Sequence, residues 1–277
     1  MTQAAPHAAR RLRVGVDLHP QHCTYAQYAE AVRRADALGV DTIWTWDHFF
    51  PVYGPADGPH FEGWTLLSAM AVLTQRAEIG CLVTAATYRN PALLSNMAKT
   101  VDHISGGRLI LGLGGGWNRR DHEEYGYELG TPGSRLATLE RSLQIIRERW
   151  AKDVPPPLRN PIPILIGGGG ERVTLRLTAQ FADLWHGFGE DVAEYRHKLD
   201  VLDVWCAKVG RDPAQVERVV SPQDVSEQQE HAVFDAYVEA GATHILLDAG
   251  YSASNTDDPW NLAAIERLVQ WRDARNG

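Results

Sequence analysis

Pro155-Pro156-Pro157-Leu158-Arg159-Asn160-Pro161-Ile162-Pro163-Ile164-Leu165-Ile166-Gly167-Gly168-Gly169-Gly170 decides whether this chain folds as one unit or two. Its first half has the composition of a linker, because proline fixes φ and removes a backbone donor, so neither a helix nor a central strand forms there. A domain boundary would fall at this point. The second half argues against one. Ile164-Leu165-Ile166 reads as a buried strand, the glycines as a tight turn, and the residues through Phe181 as a helix. The same strand–turn–helix unit also runs up to the prolines, so residues 155–163 are a connector inside one repeating architecture.

Working outward, strands are predicted at residues 12–18, 41–46, 78–83 and 108–113 before the connector, and at 183–187, 216–220 and 243–247 after 164–166. Helical patterns fill the intervals. Thr24 serves as an N-cap and Gly39 as a stop, Asn90-Pro91 opens the next helix but one, and Gly106 and Gly107 close it. A charged insertion covers residues 119–133, and a helix is predicted from Ser134 to Trp150. Strict β/α alternation implies parallel strands joined by right-handed crossovers. Eight units in 277 residues fit a closed (β/α)8 TIM barrel. An open doubly wound sheet would carry a glycine fingerprint after its first strand, where this chain has His19-Pro20-Gln21. The expected layout is a disordered N-terminal tail over residues 1–11 and one barrel domain over 12–277.

Composition narrows the partners. With 44% hydrophobic and 22% charged residues the chain is an ordinary globular one. A net charge of −8 argues against nucleic acid or an anionic membrane surface. The three cysteines, Cys23, Cys81 and Cys206, lack CxxC spacing, which points away from disulfide scaffolding and structural zinc and toward a reducing compartment. No apolar run reaches the ~18–20 residues that span a bilayer. The expected location is the cytoplasm.

In a barrel of this kind the active site lies at the C-terminal ends of the strands. The second strand ends in Ile43-Trp44-Thr45-Trp46-Asp47-His48-Phe49-Phe50, and the proline- and glycine-rich stretch 50–63 that follows offers no helix for Asp47 to cap. A histidine among Trp44, Trp46, Phe49 and Phe50 is suited to moving protons near neutral pH. Gly167, Gly168, Gly169 and Gly170 precede a helix, where exposed amides and the helix dipole favour a phosphate, and Arg172 adds charge one turn in. Gly114, Gly115 and Gly116 form a second cluster, followed by Trp117 and by Asn118, which both donates and accepts. Lys99, Lys152, Lys198 and Lys208 fall in helices or the connector, so a Schiff-base lysine on a strand is not expected. No GxSxG elbow is present. Asp17, His19, His48, His186 and Asp248 lie near strand ends and have metal-ligating chemistry. The HxH pair usual on strand 1 of metal-dependent barrel hydrolases is absent, and no metal is expected.

With these positions in hand, the chain resembles the bacterial luciferase-like superfamily, most closely its oxidoreductases that use the deazaflavin coenzyme F420. The resemblance runs from Arg13 to about Arg275. It is carried by Trp-Asp-His-Phe at 46–49, Leu-Val-Thr-Ala-Ala-Thr-Tyr-Arg-Asn-Pro at 82–91, Ile-Ser-Gly-Gly-Arg-Leu-Ile-Leu-Gly-Leu-Gly-Gly-Gly-Trp-Asn at 104–118, Ile-Pro-Ile-Leu-Ile-Gly-Gly-Gly-Gly at 162–170, Ala-Asp-Leu-Trp-His-Gly-Phe at 182–188 and Val-Gly-Arg-Asp-Pro at 209–213.

The resemblance implies roles at these positions. Asp47 would meet the deazaflavin ring edge, and His48 would serve at the reacting face as acid/base or orienting group. Cys81, Leu82 and Val83 would carry a non-prolyl cis peptide backing the ring. Asn118 would contact the ring or ribityl chain. The glycines 167–170 with His186 and Gly187 would hold the phosphate end, with Arg172, Arg176 or Arg89 as partners for the anionic tail. Sugar-phosphate dehydrogenases of the superfamily carry a glutamate where this chain has Trp117. That departure favours a small, fairly apolar substrate lying beside Trp44, Phe49 and Trp117. The alternative is an FMN-dependent monooxygenase supplied by a separate reductase; a metal-dependent hydrolase and a non-catalytic flavin-binding barrel are the readings from other classes. The resemblance also brings in a homodimer.

Overall fold

The computed structural model describes residues 11–189, 191–223, 225–255 and 257–277. The expected tail, residues 1–11, lies outside them apart from Arg11. In chain order the elements are β1 (Arg13–Leu18), α1 (Tyr25–Leu38), β2 (Thr42–Thr45), α2 (Gly63–Leu73), β3 (Glu78–Cys81), β4 (Thr84–Ala85), α3 (Pro91–Ser105), β5 (Leu111–Gly114), α4 (Arg119–Tyr125), α5 (Pro132–Trp150), β6 (Ile164–Gly167), α6 (Thr174–Phe181), β7 (Leu184–Gly189), α7 (Val192–Val209), β8 (Glu217–Pro222), α8 (Glu230–Ala240), β9 (His244–Ala249) and α9 (Leu262–Asn276).

Every strand pair is parallel, in the order β3-β2-β1-β9-β8-β7-β6-β5-β4. The two edge strands are consecutive in sequence. The single strand expected over residues 78–83 is split, because the Leu82–Val83 peptide is cis and interrupts the ladder. β3 stays on β2, while β4 pairs with β5 through Thr84–Leu113 and Ala85–Gly114. Ile79 bridges Leu109, and the Ile110 N–H donates to the Ile79 carbonyl at 2.9 Å, so the two ends of the sheet meet. The molecule is a TIM barrel whose third strand is broken at its C-terminal end.

Local signals act as read. Thr24 and Gln27 form a capping box at α1, and Gly39 ends the helix at φ 94°. Asn90 caps α3, with Pro91 in its first turn. The charged insertion differs from the expectation. Asn118 accepts the Asp121 amide and starts α4 inside it, and α5 begins at Pro132 rather than Ser134, capped by Thr131.

Two apolar layers hold the barrel. Inside it, Trp44, Ile110, Leu165, Leu184, Val219 and Leu246 fill the lumen. Outside, strand residues such as Val14, Ile43 and Ile166 meet the helices. Each such side chain contributes about 1.5–3 kcal/mol on burial. At the N-terminal end of the barrel a polar chain closes the floor. The Trp44 indole donates to Thr42 Oγ1 at 2.9 Å, Thr42 Oγ1 lies 3.0 Å from His244 Nε2, and His244 Nδ1 lies 2.7 Å from Glu217, which also accepts from Arg13 at 3.2 Å. Arg13 then pairs with Glu78. Burial pushes Glu217 up, but His244 and Arg13 more than offset this and hold it at about 2.

Candidate active site

A cavity of about 510 Å³ opens at the C-terminal ends of the strands. That size suits a cofactor or small ligand. Asp47 and His48 follow β2, Leu82 and Val83 lie at the break between β3 and β4, Gly114 ends β5 with Gly115 to Trp117 after it, and Gly167 ends β6 with Gly168 after it. His186 enters from β7 and Ser221 from β8, and Asp17 and Asp248 close the ring from β1 and β9.

His48 has a partner that the sequence reading missed. Its Nδ1 lies 2.6 Å from Asp121 Oδ2, and Asp121 Oδ1 accepts the Phe49 amide at 3.1 Å. The Tyr88 hydroxyl donates to the same carboxylate at 3.1 Å. Burial pushes the Asp121 carboxyl up, but the hydrogen bond and charge of His48, with the Phe49 and Tyr88 donors, outweigh it and hold the group below its ordinary value. An ionised Asp121 fixes the proton on Nδ1, and Nε2 has no hydrogen-bond partner among the described residues. The only hint in sequence was the spacing Asn118-x-x-Asp121, an N-cap followed by an acid, inside a stretch read as an insertion.

Asp47 is 2% exposed and gripped at both oxygens. Arg89 reaches Oδ2 at 2.5 Å and Oδ1 at 2.8 Å, and the Ala85 amide donates to Oδ2 at 3.2 Å. Arg89 also holds Glu62 at 2.6 Å. Burial pushes the Asp47 carboxyl up and the facing guanidinium pulls it back only in part. Asp47 lines the cavity with its hydrogen-bonding capacity largely used. Arg89 is accordingly committed, Arg176 pairs with Glu140, and Arg172 is exposed outside the cavity. None of the three tail candidates faces the cavity as a free cation. Arg135 does line it, and its guanidinium donates only to backbone carbonyls, chiefly Gly116 at 2.8 Å.

The remaining expected residues divide. Leu82, Val83, Trp117, Gly167, Gly168 and His186 line the cavity. Trp117 is 64% exposed and stands edge-on to His48 with ring centres 5.5 Å apart. The His186 Nε2 lies 3.0 Å from the Ser221 hydroxyl, and burial pushes this imidazole down to about 4. Trp44 points into the barrel lumen, away from any substrate. Phe49 stacks on Tyr125 at 4.2 Å behind the wall, Cys81 is buried in the core, and Asn118 is occupied as the α4 cap. Gly169 and Gly170 turn toward Lys198 and Thr174, and Gly187 packs against Trp185; none of them reaches the cavity. Gly187 faces away from its neighbour His186 as strand alternation requires, Trp44 shares the side of Trp46 and His48 but lies deeper in the barrel, and Phe49, Asn118, Gly169 and Gly170 lie beyond the strands.

The glycines that do reach the cavity make a shelf. A Cβ on Gly114 would come within 2.6 Å of a Val83 methyl, and one on Gly167 within 3.0 Å. Gly168 has φ 115°, which side-chain-bearing residues rarely adopt, and its amide donates to the His186 carbonyl. The missing side chains let Val83 sit flat against the strand ends, leaving a slot above it for a thin, planar group.

The wall from β1 and β9 differs in character. Asp17 is 5% exposed and its Oδ1 has no hydrogen-bond partner. Burial, with the charge of Asp248, pushes its carboxyl well above the usual range. His19, lowered to about 4 by burial, stacks on Trp46 with centres 4.2 Å apart.

A family model described as luciferase-like monooxygenase matches residues 10–274. The chain belongs to this family. It is an oxidoreductase of the luciferase-like class. An uncharacterised protein of Mycobacterium tuberculosis is 26% identical over 272 residues, covering 87% of this chain and 92% of the relative. The F420-dependent glucose-6-phosphate dehydrogenase of Amycolatopsis mediterranei is 30% identical over 177 residues, 57% of this chain and 52% of that protein. Among solved structures, an F420-dependent secondary alcohol dehydrogenase superposes with TM-score 0.79 at 14% identity, covering 94% of this chain and 98% of that one. The FMN-bound oxygenating constituent of 3,6-diketocamphane monooxygenase from Pseudomonas putida superposes at TM-score 0.75 and 14% identity, covering 96% and 99%. These two likenesses establish the shared fold. Among the described residues no helix is long and apolar enough to cross a membrane.

Proposed function

We propose that this luciferase-like protein transfers a hydride between coenzyme F420 and a small organic substrate. The observation that carries the reading is the meeting, in one cavity, of the glycine-backed Val83 shelf and the His48–Asp121 pair. The residues fit a planar deazaflavin. Leu82 and Val83 would back the ring and Gly114 and Gly167 leave it room. Arg135, beside the Gly168 turn, would take its anionic end. The bound cofactor supplies the hydride chemistry. His48 holds or receives a proton at Nε2, Asp121 keeps that nitrogen in the required tautomer, and Trp117 and Tyr88 screen the face from water.

FMN is the second reading, since the same shelf and anion end suit its ring and phosphate and an FMN-bound structure shares the fold. A fluorescence titration of the purified protein with each cofactor tests the choice. Micromolar affinity for F420 with weak affinity for FMN is expected, and the reverse would refute the leading reading. His48→Ala is expected to keep cofactor affinity and lose turnover; unchanged turnover would place the proton donor elsewhere. A cytoplasmic setting is consistent with three buried, unpaired cysteines.

A further inference from the structure

We infer that the β1/β9 wall of the cavity is a binding site for the cationic nitrogen of a small organic ammonium or iminium ligand. This deepens the function proposed above by naming a substrate class, and so rests on that reading for its role in catalysis. The wall holds Asp17, His19 and Asp248, whose ligand atoms lie within 4.8 Å of one another. Asp17 is buried, lines the cavity, and leaves Oδ1 with no hydrogen-bond partner. Such an oxygen is costly unless something in the working protein satisfies it. The one hydrogen bond received by Asp248 comes from the neutral amide of Gln223 at 2.9 Å. Neither carboxylate has a lysine or arginine partner among the described residues. Arg89 is committed to Asp47 and Glu62.

The surroundings favour an organic cation over a metal. His19 stacks on Trp46, and Tyr53 lies 5.7 Å from His19 and 5.9 Å from Trp46, all of them lining the cavity. Aromatic faces stabilise alkylammonium groups and their carbon substituents, and offer little to a hydrated divalent ion. The expectation of a fairly apolar substrate leaned on Trp44, Phe49 and Trp117, of which Trp117 lines the cavity and Trp44 and Phe49 do not; the polar wall adds a charged nitrogen to that substrate.

The test uses benzylammonium and its neutral counterpart benzyl alcohol, titrated calorimetrically into the full-length protein at low ionic strength without cofactor. Benzylammonium is expected to bind at least tenfold tighter, and Asp248→Asn to remove that preference. Asp17→Asn, at a buried position, is checked for folding by circular dichroism, while the exposed Asp248 variant keeps the test decisive. Equal affinity for the two probes would overturn the inference. So would stoichiometric binding of zinc or manganese chloride that benzylammonium fails to displace, since the wall would then be a metal site. Cofactor affinity is measured separately. If F420 and FMN both fail to bind while the ammonium preference persists, the proposed redox function falls and the cation site stands.

Discussion

Replacing Arg89 with methionine isolates the cost of the buried ion pair behind the site. Asp47 is 2% exposed, and two of its three donors are the Arg89 nitrogens at 2.5 and 2.8 Å. Without Arg89 only the Ala85 amide remains, at 3.2 Å. Removing one partner of such a pair costs about 3–5 kcal/mol, because the survivor must stay buried and charged or take up a proton. Asp47→Asn is milder, since Arg89 keeps Glu62 at 2.6 Å; a lost hydrogen bond to a charged group costs about 1.5–3 kcal/mol. In the double variant no charge is stranded, so the two costs should not add, with a coupling of roughly 2 kcal/mol. Urea denaturation of the four proteins at pH 7 measures this cycle. At about 2–4 °C per kcal/mol, Arg89→Met should also lower Tm by roughly 6–20 °C. A loss below about 1 kcal/mol for Arg89→Met, or strict additivity in the double variant, would refute the reasoning that Asp47 is held by Arg89.

Asp121→Asn is expected to cut kcat by about 10²–10⁴ while cofactor affinity holds, because an amide does not enforce the Nδ1 proton on His48; steady-state kinetics with parallel cofactor titration decides, and unchanged kcat would make Asp121 a structural cap. Gly114→Ala places a methyl within 2.6 Å of Val83, so the shelf should move into the slot and cofactor affinity fall at least tenfold, at an overpacking cost of about 1–3 kcal/mol. Retained affinity would remove the shelf from the cofactor site. Glu217 lies below its unfolded value of 4.5, at about 2. Its depressed carboxyl contributes stability that is present above the unfolded value and disappears as pH falls toward the folded one, roughly 3 kcal/mol in all. Glu217→Gln should therefore flatten the acid limb of the stability curve below pH ~4.5, and parallel acid limbs for the two proteins would count against the Arg13–Glu217–His244 network.

The fold was legible because its signals are local and repeat. Thr24, Gly39, Asn90 and Pro91 act through their own neighbours, and the β/α period survives the proline connector at residues 155–163. The split of the third strand was legible only through the family resemblance, since nothing in Cys81-Leu82-Val83 itself prescribes a cis peptide. In the site, strand-end position was readable but depth along the barrel was not. Trp44 and His48 are four residues apart and of one parity, yet Trp44 packs deep in the lumen while His48 lines the cavity. Long-range pairing was least legible. His48 and Asp121 are 73 positions apart, and Arg89 and Asp47 42, and no periodicity connects them. Arg135 was missed because α5 starts earlier than Ser134, which brings its first turn to the cavity mouth.

The two ends of the cavity carry opposite electrostatics, and this orders the ligands within it. Arg135 lies on the β5/β6 side beside the Gly168 turn and has no carboxylate partner among the described residues. Asp17 and Asp248 lie on the β1/β9 side, where an oxygen lacks a donor. An anionic cofactor bound the other way round would set phosphate against the exposed Asp248 carboxylate and the buried Asp17, an unfavourable contact. On the function proposed above, this charge pattern would direct the anionic end of the cofactor to β5/β6 and leave the acidic wall to the substrate. His48 stands between the two, at the end of β2, where a proton would have to be exchanged with whatever occupies the slot above Val83.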